Sequence, residues 1–214
     1  MAAHLARQGN PLALEAARAV VILYDGYLRP SELLELRAND VHVLDKAAGA
    51  RYGKVSATIR PCRPDDGLPP MPRTKAGEYD DTVTFGDAAS AKAGRAFVAP
   101  LVAALKAARR GSQTLLALTI GQLDFLFADA VKALKLQRLR STPHCCRHGG
   151  ASTDFSLKTR SLAEVQRRGR WKAQSSVRRY EKAGRLQRQV SFLSAAQRKR
   201  ANLAAMELPA LFAL

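Results

Sequence analysis

The sequence predicts an α+β domain that is mainly helical and carries one small three-stranded antiparallel sheet. Apolar residues recur at helical spacing over most of the chain, as in Leu12, Ala16 and Leu23. Short β-like runs lie between Val41 and Phe85. With 214 residues, of which 47% are hydrophobic, the chain can bury one core and is expected to form a single domain.

Two helices are predicted before the strands. Pro11 follows an asparagine cap and begins the first helix, which is expected to end near Gly26. Pro30 begins a short second helix, which is expected to close at Asp40. Arg29 therefore stands at the entrance of a helix.

Three short runs, at residues 41–44, 54–59 and 82–85, predict the strands of the sheet. The stretch 61–72 between the second and third strands is rich in proline and glycine and predicts a long connection. Lys75 follows this stretch and is therefore expected on or beside a turn.

The rest of the chain is predicted to be helical. An alanine-rich helix over residues 88–110 is expected to be interrupted by Pro100. Capping boxes begin further helices at 119–122 and 161–164, and another helix begins at Pro143.

A short serine-capped helix is predicted to carry Tyr180, followed by a basic helix over residues 185–200. The tail at 203–214 is apolar. Because exposed apolar surface usually seeks a partner, the segment 185–214 is expected to function between protomers. The alternative is that the tail folds back on its own core.

The charge of the chain predicts a polyanionic partner. Lys and Arg total 35 against 18 Asp and Glu, which gives a net charge of +17 and an isoelectric point near 10.5. Residues 135–200 hold 18 of the basic side chains and three acidic ones, so the last third is the expected binding face. Double-stranded DNA is the leading partner, and a merely solvated basic surface or a ribosomal-type protein is the alternative.

The sequence disfavours several other classes. Cys62, Cys145 and Cys146 do not make a disulfide framework, which indicates an intracellular, reducing compartment. The apolar runs are far shorter than the ~18 residues that a membrane span needs, and the N-terminus does not resemble a signal or transit peptide. We therefore expect no membrane association and no small-molecule substrate.

Two short motifs in the last third carry candidate chemistry. His144 and Arg147, three residues apart on a helix, present an imidazole and a guanidinium on one face, where both can reach one phosphate. Trp171 and Tyr180 lie nine residues apart with a helix start between them. Pairs of this kind are common, and either pair by itself is compatible with a solvated helix face.

A zinc site is the competing interpretation of the first motif. His144 and His148 stand at i and i+4 beside Cys145 and Cys146, and two histidines at that spacing can bind zinc. However, no glutamate lies between the histidines, and no CxxC pair or third acidic ligand is near in the sequence. The cysteines are expected to pack as small hydrophobic side chains, and no metal or other cofactor is expected.

Together with the segment GYLRPSELLEL at residues 26–36, these motifs resemble the catalytic domain of the tyrosine recombinase, or phage integrase, family. In that family the first catalytic arginine lies in a segment of this kind, a lysine follows in a β-hairpin, and an HxxR motif lies on a later helix. A histidine or tryptophan then precedes the nucleophilic tyrosine by nine residues. The matching positions in this chain are Arg29, Lys75, His144, Arg147, Trp171 and Tyr180.

The resemblance covers residues 12 to about 183 and implies the DNA breaking-rejoining fold for a catalytic domain at 1–184, followed by a C-terminal helix and apolar tail at 185–214. The family's N-terminal core-binding domain is expected to be absent. RHGG at 147–150 and GRW at 169–171 are similar to recombinases of eukaryotic mobile elements. The resemblance also implies a homo-tetramer on DNA, in the nucleus of a eukaryote or the cytoplasm of a bacterial or phage host.

The resemblance gives the matched residues roles in a metal-independent transesterification. Arg29 and Arg147 would bind the scissile phosphate through forked hydrogen bonds. Tyr180 would attack the phosphorus with His144 as the candidate base, and Lys75 would protonate the leaving 5′-oxygen. The covalent 3′-phosphotyrosine keeps the bond energy, so a 5′-hydroxyl can rejoin the strand without ATP.

Some assignments have alternatives. Trp171, where many family members carry histidine, can donate its indole N–H to the phosphate but cannot exchange protons. Lys54 and Arg73 are nearby rivals of Lys75. A type IB topoisomerase shares the tyrosine chemistry, although the RPSEL context favours a recombinase. A recombinase-derived DNA-binding protein that has lost catalysis is the alternative from a different class.

Binding that rests on phosphate contacts from the basic last third should fall steeply with salt. If six or more phosphates are neutralised, affinity for duplex DNA should drop by about 10³-fold or more between ~50 and ~200 mM salt, because condensed counterions are released. Fluorescence anisotropy of a labelled duplex at several salt concentrations measures the slope. A flat response would contradict a phosphate-binding face and favour a protein partner.

Overall fold

A computed structural model describes residues 1–44, 55–59, 81–180 and 183–212 of the chain. These residues are mainly helical and include one three-stranded antiparallel sheet, which confirms the predicted α+β class. Lys75 and its rivals Lys54 and Arg73 lie outside the described residues, as does most of the predicted connection before the third strand.

The secondary structure of the described residues follows in chain order. The helices are α1 (Ala2–Ala6), α2 (Pro11–Gly26), α3 (Pro30–Leu34), α4 (Ala88–Lys92), α5 (Val98–Ala107), α6 (Ile120–Ala133), α7 (His144–Ser156), α8 (Leu162–Arg168), α9 (Ala183–Ser191) and α10 (Ala195–Leu211). The strands are β1 (Val41–Val43), β2 (Val55–Ile59) and β3 (Asp81–Phe85).

Helix α2 lies at the centre of the core. The Asn10 side chain caps it by accepting a hydrogen bond from the backbone N–H of Leu12 at 2.9 Å, as the sequence predicts. Apolar side chains such as Ala16 and Ile22 are buried all around the helix, so α1, α5, α6 and α7 pack against it. Tyr27 follows the helix in the left-handed conformation, with a φ of 50°.

The sheet has the order β1-β2-β3, and both pairings are antiparallel. Val55, Ala57 and Ile59 of the central strand are buried, and the residues between them are less so, which is the alternation of a sheet with one face on the core. Val55 pairs with Phe85 of β3, which is also buried. The sheet contacts α5 and α2.

Helix α7 approaches α2 closely because residue 150 is glycine. A Cβ on Gly150 would lie 2.0 Å from the carbonyl oxygen of Tyr24, where no side-chain atom fits. Nearby, the Tyr24 hydroxyl donates to Oγ1 of Thr153 at 2.6 Å. These contacts fix the position of α7 relative to the end of α2.

A small apolar cluster, separate from the main core, joins the end of α2 to the last part of the fold. Its buried members are Tyr27, Ala151, Val165, Val177 and Tyr180. The main core contains most of the other buried apolar residues, from α1 to α7 and the sheet. Tyr180 is therefore held by the smaller cluster.

The alanine-rich helix over 88–110 is interrupted at a different place from the one predicted. The chain breaks at Gly94, whose φ is 73°, and α5 begins at Val98. Pro100 lies in the first turn of α5, where the missing N–H costs little because first-turn N–H groups have no partner within the helix. Similarly, α3 ends at Leu34, and a separate 3₁₀ turn contains Asp40.

The segments around Tyr180 also differ from the prediction. Tyr180 is the last residue of a 3₁₀ turn that begins at Arg178, rather than part of an α-helix. The predicted basic helix over 185–200 is two helices, because Ser194 makes a new capping box with Gln197 and starts α10.

The end of α10 packs on the chain's own core, contrary to the expectation that the whole apolar tail acts between protomers. Leu208 and Leu211 contact the core, and the Phe212 ring stacks on Phe97 with centroids 6.0 Å apart. Leu203 and Met206, on the same helix, are exposed. The exposed part of this helix, with the exposed Val190 of α9, remains available to a second protomer.

Two buried carboxylates, Asp25 of α2 and Asp154 of α7, form ion pairs with several arginines. Arg95 donates to Asp25 at 2.8 Å and to Asp154 at 2.7 Å, and so bridges them. Arg160 contacts Asp154 at 3.1 Å, and Arg168 contacts Asp25 at 3.2 Å. This buried network ties α2, α7 and α8 to the segment between α4 and α5.

The network shifts the pKa of Asp154 below its ordinary value. Burial raises the pKa, but the hydrogen bond from the Tyr27 hydroxyl and the charge of Arg95 lower it by more. In acid the Asp154 carboxyl of the unfolded chain therefore binds a proton that it does not bind in the folded chain. The interactions of the Asp154 carboxylate thus stabilise the fold above about pH 4, and this stabilisation is lost as the pH falls further.

Asp154→Ala should destabilise the fold by about 3 to 5 kcal/mol, because Arg95 and Arg160 would keep buried charges without their shared partner. Chemical denaturation at pH 7 measures the change. Asp124→Ala, which removes an exposed carboxylate from α6, is the matched control and should change stability by no more than about 0.5 kcal/mol. Equal effects in the two variants would contradict a structural role for the network.

Candidate active site

Tyr180 and His148 form the centre of the candidate site. The Tyr180 hydroxyl lies 2.7 Å from Nδ1 of His148, which is hydrogen-bond distance. The Tyr180 ring is 5.4 Å from the Trp171 ring, and the His148 ring stacks on Trp171 at 6.2 Å. Tyr180 is only 6% exposed, so the imidazole and the indole enclose most of it.

The HxxR motif of α7 presents its side chains to different surroundings. His144 is exposed, and its ring meets that of His148, one turn further along, at 5.1 Å. Arg147, by contrast, points into the protein and is 1% exposed. Both side chains border the same cluster, but His144 faces solvent and Arg147 faces the interior.

Arg147 joins three segments of the chain. Its Nη1 donates to the carbonyl oxygen of Tyr27 at 2.6 Å, and its Nη2 donates to the carbonyl oxygen of Gly169. The guanidinium lies 4.7 Å from the centroid of the Trp171 ring, which covers it. The end of α2, helix α7 and the end of α8 are therefore connected through one side chain.

Glu32 of α3 gathers several guanidinium groups around one buried carboxylate. Its Oε2 accepts from the backbone N–H of Arg29 at 2.7 Å, and its Oε1 pairs with the Arg29 side chain. Arg170 donates to Oε2 at 2.5 Å, and Arg147 lies 3.5 Å from the same oxygen. Arg29 and Arg147 therefore meet at the same carboxylate.

Among the described residues, the charge balance of this cluster is positive. Arg170 Nε also lies 3.1 Å from a carboxylate oxygen of Asp81, although not in hydrogen-bond alignment. Burial raises the pKa of Glu32, but the surrounding guanidinium groups lower it below its ordinary value. Burial and the charge of Arg170 lower the pKa of Arg147 to about 9. An anionic ligand beside Arg147 would favour its charged form.

The turn after α8 sets the position of Trp171. A Cβ on Gly169 would lie 1.8 Å from the Trp171 ring, so the indole can pack there only against glycine. Arg170 adopts the left-handed conformation with a φ of 53°, which is uncommon for a residue with a side chain. Its contacts with Glu32 and Asp81 hold this conformation, which turns the chain back so that Trp171 reaches Arg147.

The structure brings most of the sequence-predicted site residues into one region. Arg29 and Arg147 share Glu32, Trp171 covers Arg147, and Trp171 contacts Tyr180. His144 borders the cluster through its contact with the His148 ring. Lys75 lies outside the described residues.

Sequence reasoning missed three residues of this region. His148 was considered only as a zinc ligand, although it directly follows Arg147 in the motif. Glu32 is visible as the acidic residue of the RPSEL segment, and Arg170 as the middle residue of GRW. Each lies within three residues of a predicted site residue in the sequence. Other side chains that it contacts in the site, however, come from distant parts of the sequence.

Two further properties concern metals and membranes. In the part of the chain that the structure describes, no group of three or more His, Cys, Asp or Glu side chains could hold a metal ion. Across the same residues, none of the helices combines the length and the apolar character needed to span a membrane.

Gly169→Ala should displace the indole of Trp171 and uncover Arg147. Overpacking of this kind costs about 1 to 3 kcal/mol. Because Trp171 is the only tryptophan in the sequence, the fluorescence of the protein reports on it alone. We expect a red-shifted emission and stronger quenching by acrylamide. Gly121→Ala, at a helical position with no atom near the added Cβ, is the control and should leave the emission unchanged. An unchanged spectrum for Gly169→Ala would contradict the packing described.

Comparison of the chain with protein-family models, with curated proteins and with solved structures found no match. A function is therefore inferred from the side chains of the candidate site and from the sequence motifs that contain them.

Proposed function

We propose that the protein is a tyrosine recombinase with the DNA breaking-rejoining fold, which cleaves and rejoins DNA through a 3′-phosphotyrosine. The main support is that Arg29, Arg147, Trp171 and Tyr180, matched to the family by sequence alone, lie in one connected cluster. Arg29 and Tyr180 come from opposite ends of the matched region, so local sequence does not impose this proximity.

The excess of positive charge supports a phosphate as the ligand. Arg29 is partly exposed and lies at the N-terminus of α3, where a phosphate could reach it from solvent. Arg147 lies behind Trp171, so its direct contact with a phosphate requires the indole to shift. Forked guanidinium donors stabilise the charge that develops on the nonbridging oxygens during attack.

The proposed reaction transfers a phosphoryl group and needs no cofactor. The Tyr180 oxygen forms a bond to phosphorus, the bond from phosphorus to the 5′-oxygen breaks, and the 5′-oxygen leaves as a hydroxyl. By resemblance to the family, Lys75 supplies the proton to that oxygen, and a 5′-hydroxyl from another strand reverses the step. We propose double-stranded DNA inside the cell as the substrate and a homo-tetramer as the assembly, since exchange requires four cleaved strands.

A second candidate function is DNA binding without catalysis, in a protein derived from a recombinase. The full burial of Arg147 and the small exposure of Tyr180 favour this alternative, because both groups must reach a phosphate to react. The two candidates differ in one observable, the covalent bond to DNA.

A nicked suicide substrate should trap the protein covalently on DNA, because the cleaved strand ends in a short fragment that diffuses away. A pool of nicked duplexes with randomised sequence removes the need to know the target site. The adduct is detected as a labelled band that survives denaturing electrophoresis. Tyr180→Phe should abolish the adduct and leave the affinity for the same duplexes unchanged.

Tyr24→Phe is the matched control, since Tyr24 is a second tyrosine beside α7 whose hydroxyl bonds to Thr153. This variant should retain the adduct. If wild-type protein binds the pool but forms no adduct, DNA binding without catalysis is favoured. An adduct that survives in Tyr180→Phe would contradict the assignment of the nucleophile.

A further inference from the structure

We infer that His148 is the group that accepts the proton of Tyr180 during attack on the phosphate. The inference rests on the proposed function and deepens it, because the family resemblance matches His144 and assigns no role to the residue after Arg147. Proton acceptors for a phenol must lie within hydrogen-bond distance of its oxygen, and Nδ1 of His148 does, at 2.7 Å.

The packing around His148 holds the imidazole in position for this transfer. Its ring stacks on Trp171 with an interplanar angle of 18°, and α7 fixes its backbone. In the neutral imidazole that carries its proton on Nε2, Nδ1 is a hydrogen-bond acceptor and faces the Tyr180 hydroxyl. Geometry of this kind resembles the pairing of a nucleophile with an adjacent base.

The groups around the imidazole come from several elements. His144 and Cys145 lie on its own helix, and the Trp171 ring on which the imidazole stacks also contacts Arg147. Arg179 from the 3₁₀ turn and Tyr24 from α2 line the same groove as His148 and Tyr180. The neutral imidazole is the form that accepts a proton.

The groove provides a path for the proton to solvent. It has a volume of about 340 Å³, and His148, Tyr180 and the small polar side chains of Ser152 and Ser156 line it. The imidazole of His148 can therefore exchange protons with water through the groove.

The step balances without a further reagent. The Tyr180 oxygen bonds to phosphorus as its proton moves to Nδ1 of His148, and the 5′-oxygen leaves with the electrons of the broken bond and gains a proton from a general acid. In the reverse step a 5′-hydroxyl attacks phosphorus and gives its proton to the conjugate base of that general acid. The bond from phosphorus to the tyrosine oxygen breaks, and this oxygen recovers its proton from the His148 imidazolium. His148 acts on the tyrosine oxygen in both directions.

His148→Asn tests the proposal and His144→Asn tests the competing base. His42→Asn, at an exposed position of β1 outside the site, is the matched control. An asparagine amide places a polar atom close to the position of Nδ1, so it can keep a hydrogen bond to Tyr180 but cannot take up a proton at neutral pH. The rate of adduct formation on the nicked substrate is measured from pH 5.5 to 9, and thermal unfolding checks that each variant is folded.

We expect the wild-type rate to rise with pH through the range of an imidazole, near pH 6.5, because only the neutral form accepts a proton. His148→Asn should reduce the rate by about 10²- to 10⁴-fold and remove this rise, whereas His42→Asn should change neither. His144→Asn should keep the rise with pH. An unchanged rate and pH profile in His148→Asn would overturn the inference, and loss of the rise in His144→Asn alone would assign the base to His144.

A substrate with sulfur in place of the bridging 5′-oxygen separates a base from an acid, because a thiolate leaves without protonation. If His148 accepts the proton of Tyr180, the defect of His148→Asn persists on this substrate. Full rescue would show instead that His148 protonates the leaving group and would overturn the proposal. Absence of any wild-type adduct on either substrate would overturn the proposed function itself, and this result is distinct from a defect limited to the variant.

Discussion

The hydrogen bonds of the buried Arg147 guanidinium are the interaction on which the candidate site depends. They join the carbonyl oxygens of Tyr27 and Gly169, so the end of α2 and the end of α8 are set at a fixed distance. Each carbonyl oxygen lies at the end of a helix, where it has no hydrogen-bond partner within the helix. Burying it without a donor would therefore destabilise the fold. Trp171 can then cover the guanidinium, and the 3₁₀ turn that follows brings Tyr180 to His148.

Buried arginines form two clusters in this part of the fold, and the clusters differ in how many carboxylates accompany the guanidinium groups. Three carboxylates, those of Asp25, Asp87 and Asp154, balance the charges of Arg95, Arg160 and Arg168, and this network is structural. Around Glu32 the carboxylates are fewer than the guanidinium groups, and the surplus charge faces the cluster that contains Tyr180. Asp154 is buried, but so are Arg147, Arg160 and Arg170 of the same third of the chain, so the exposed surface there is less basic than the composition suggests.

Local signals allowed much of the fold to be predicted, and contacts distant in sequence account for what was missed. The caps at Asn10, Thr119 and Ser161 each depend on residues within three positions, so they are visible in the sequence. The break in the alanine-rich helix was misplaced because proline in a first turn and proline in a helix interior look alike before the helix start is known. For the candidate site, the family motifs identified its residue types, but the partner of Tyr180 depends on how the turn after α8 packs, which no local pattern encodes.

The small apolar cluster around Tyr27 and Tyr180 gives the molecule an uneven stability. Few buried side chains hold it, and they come from distant parts of the sequence, whereas the main core is larger and continuous. Regions of this kind open in native-state fluctuations while the rest of a protein stays folded, and their backbone amides exchange with solvent sooner. Residues 162–180 are therefore expected to open at a free-energy cost that is a fraction of that of global unfolding. Such an opening would expose the Tyr180 ring while the main core stays folded.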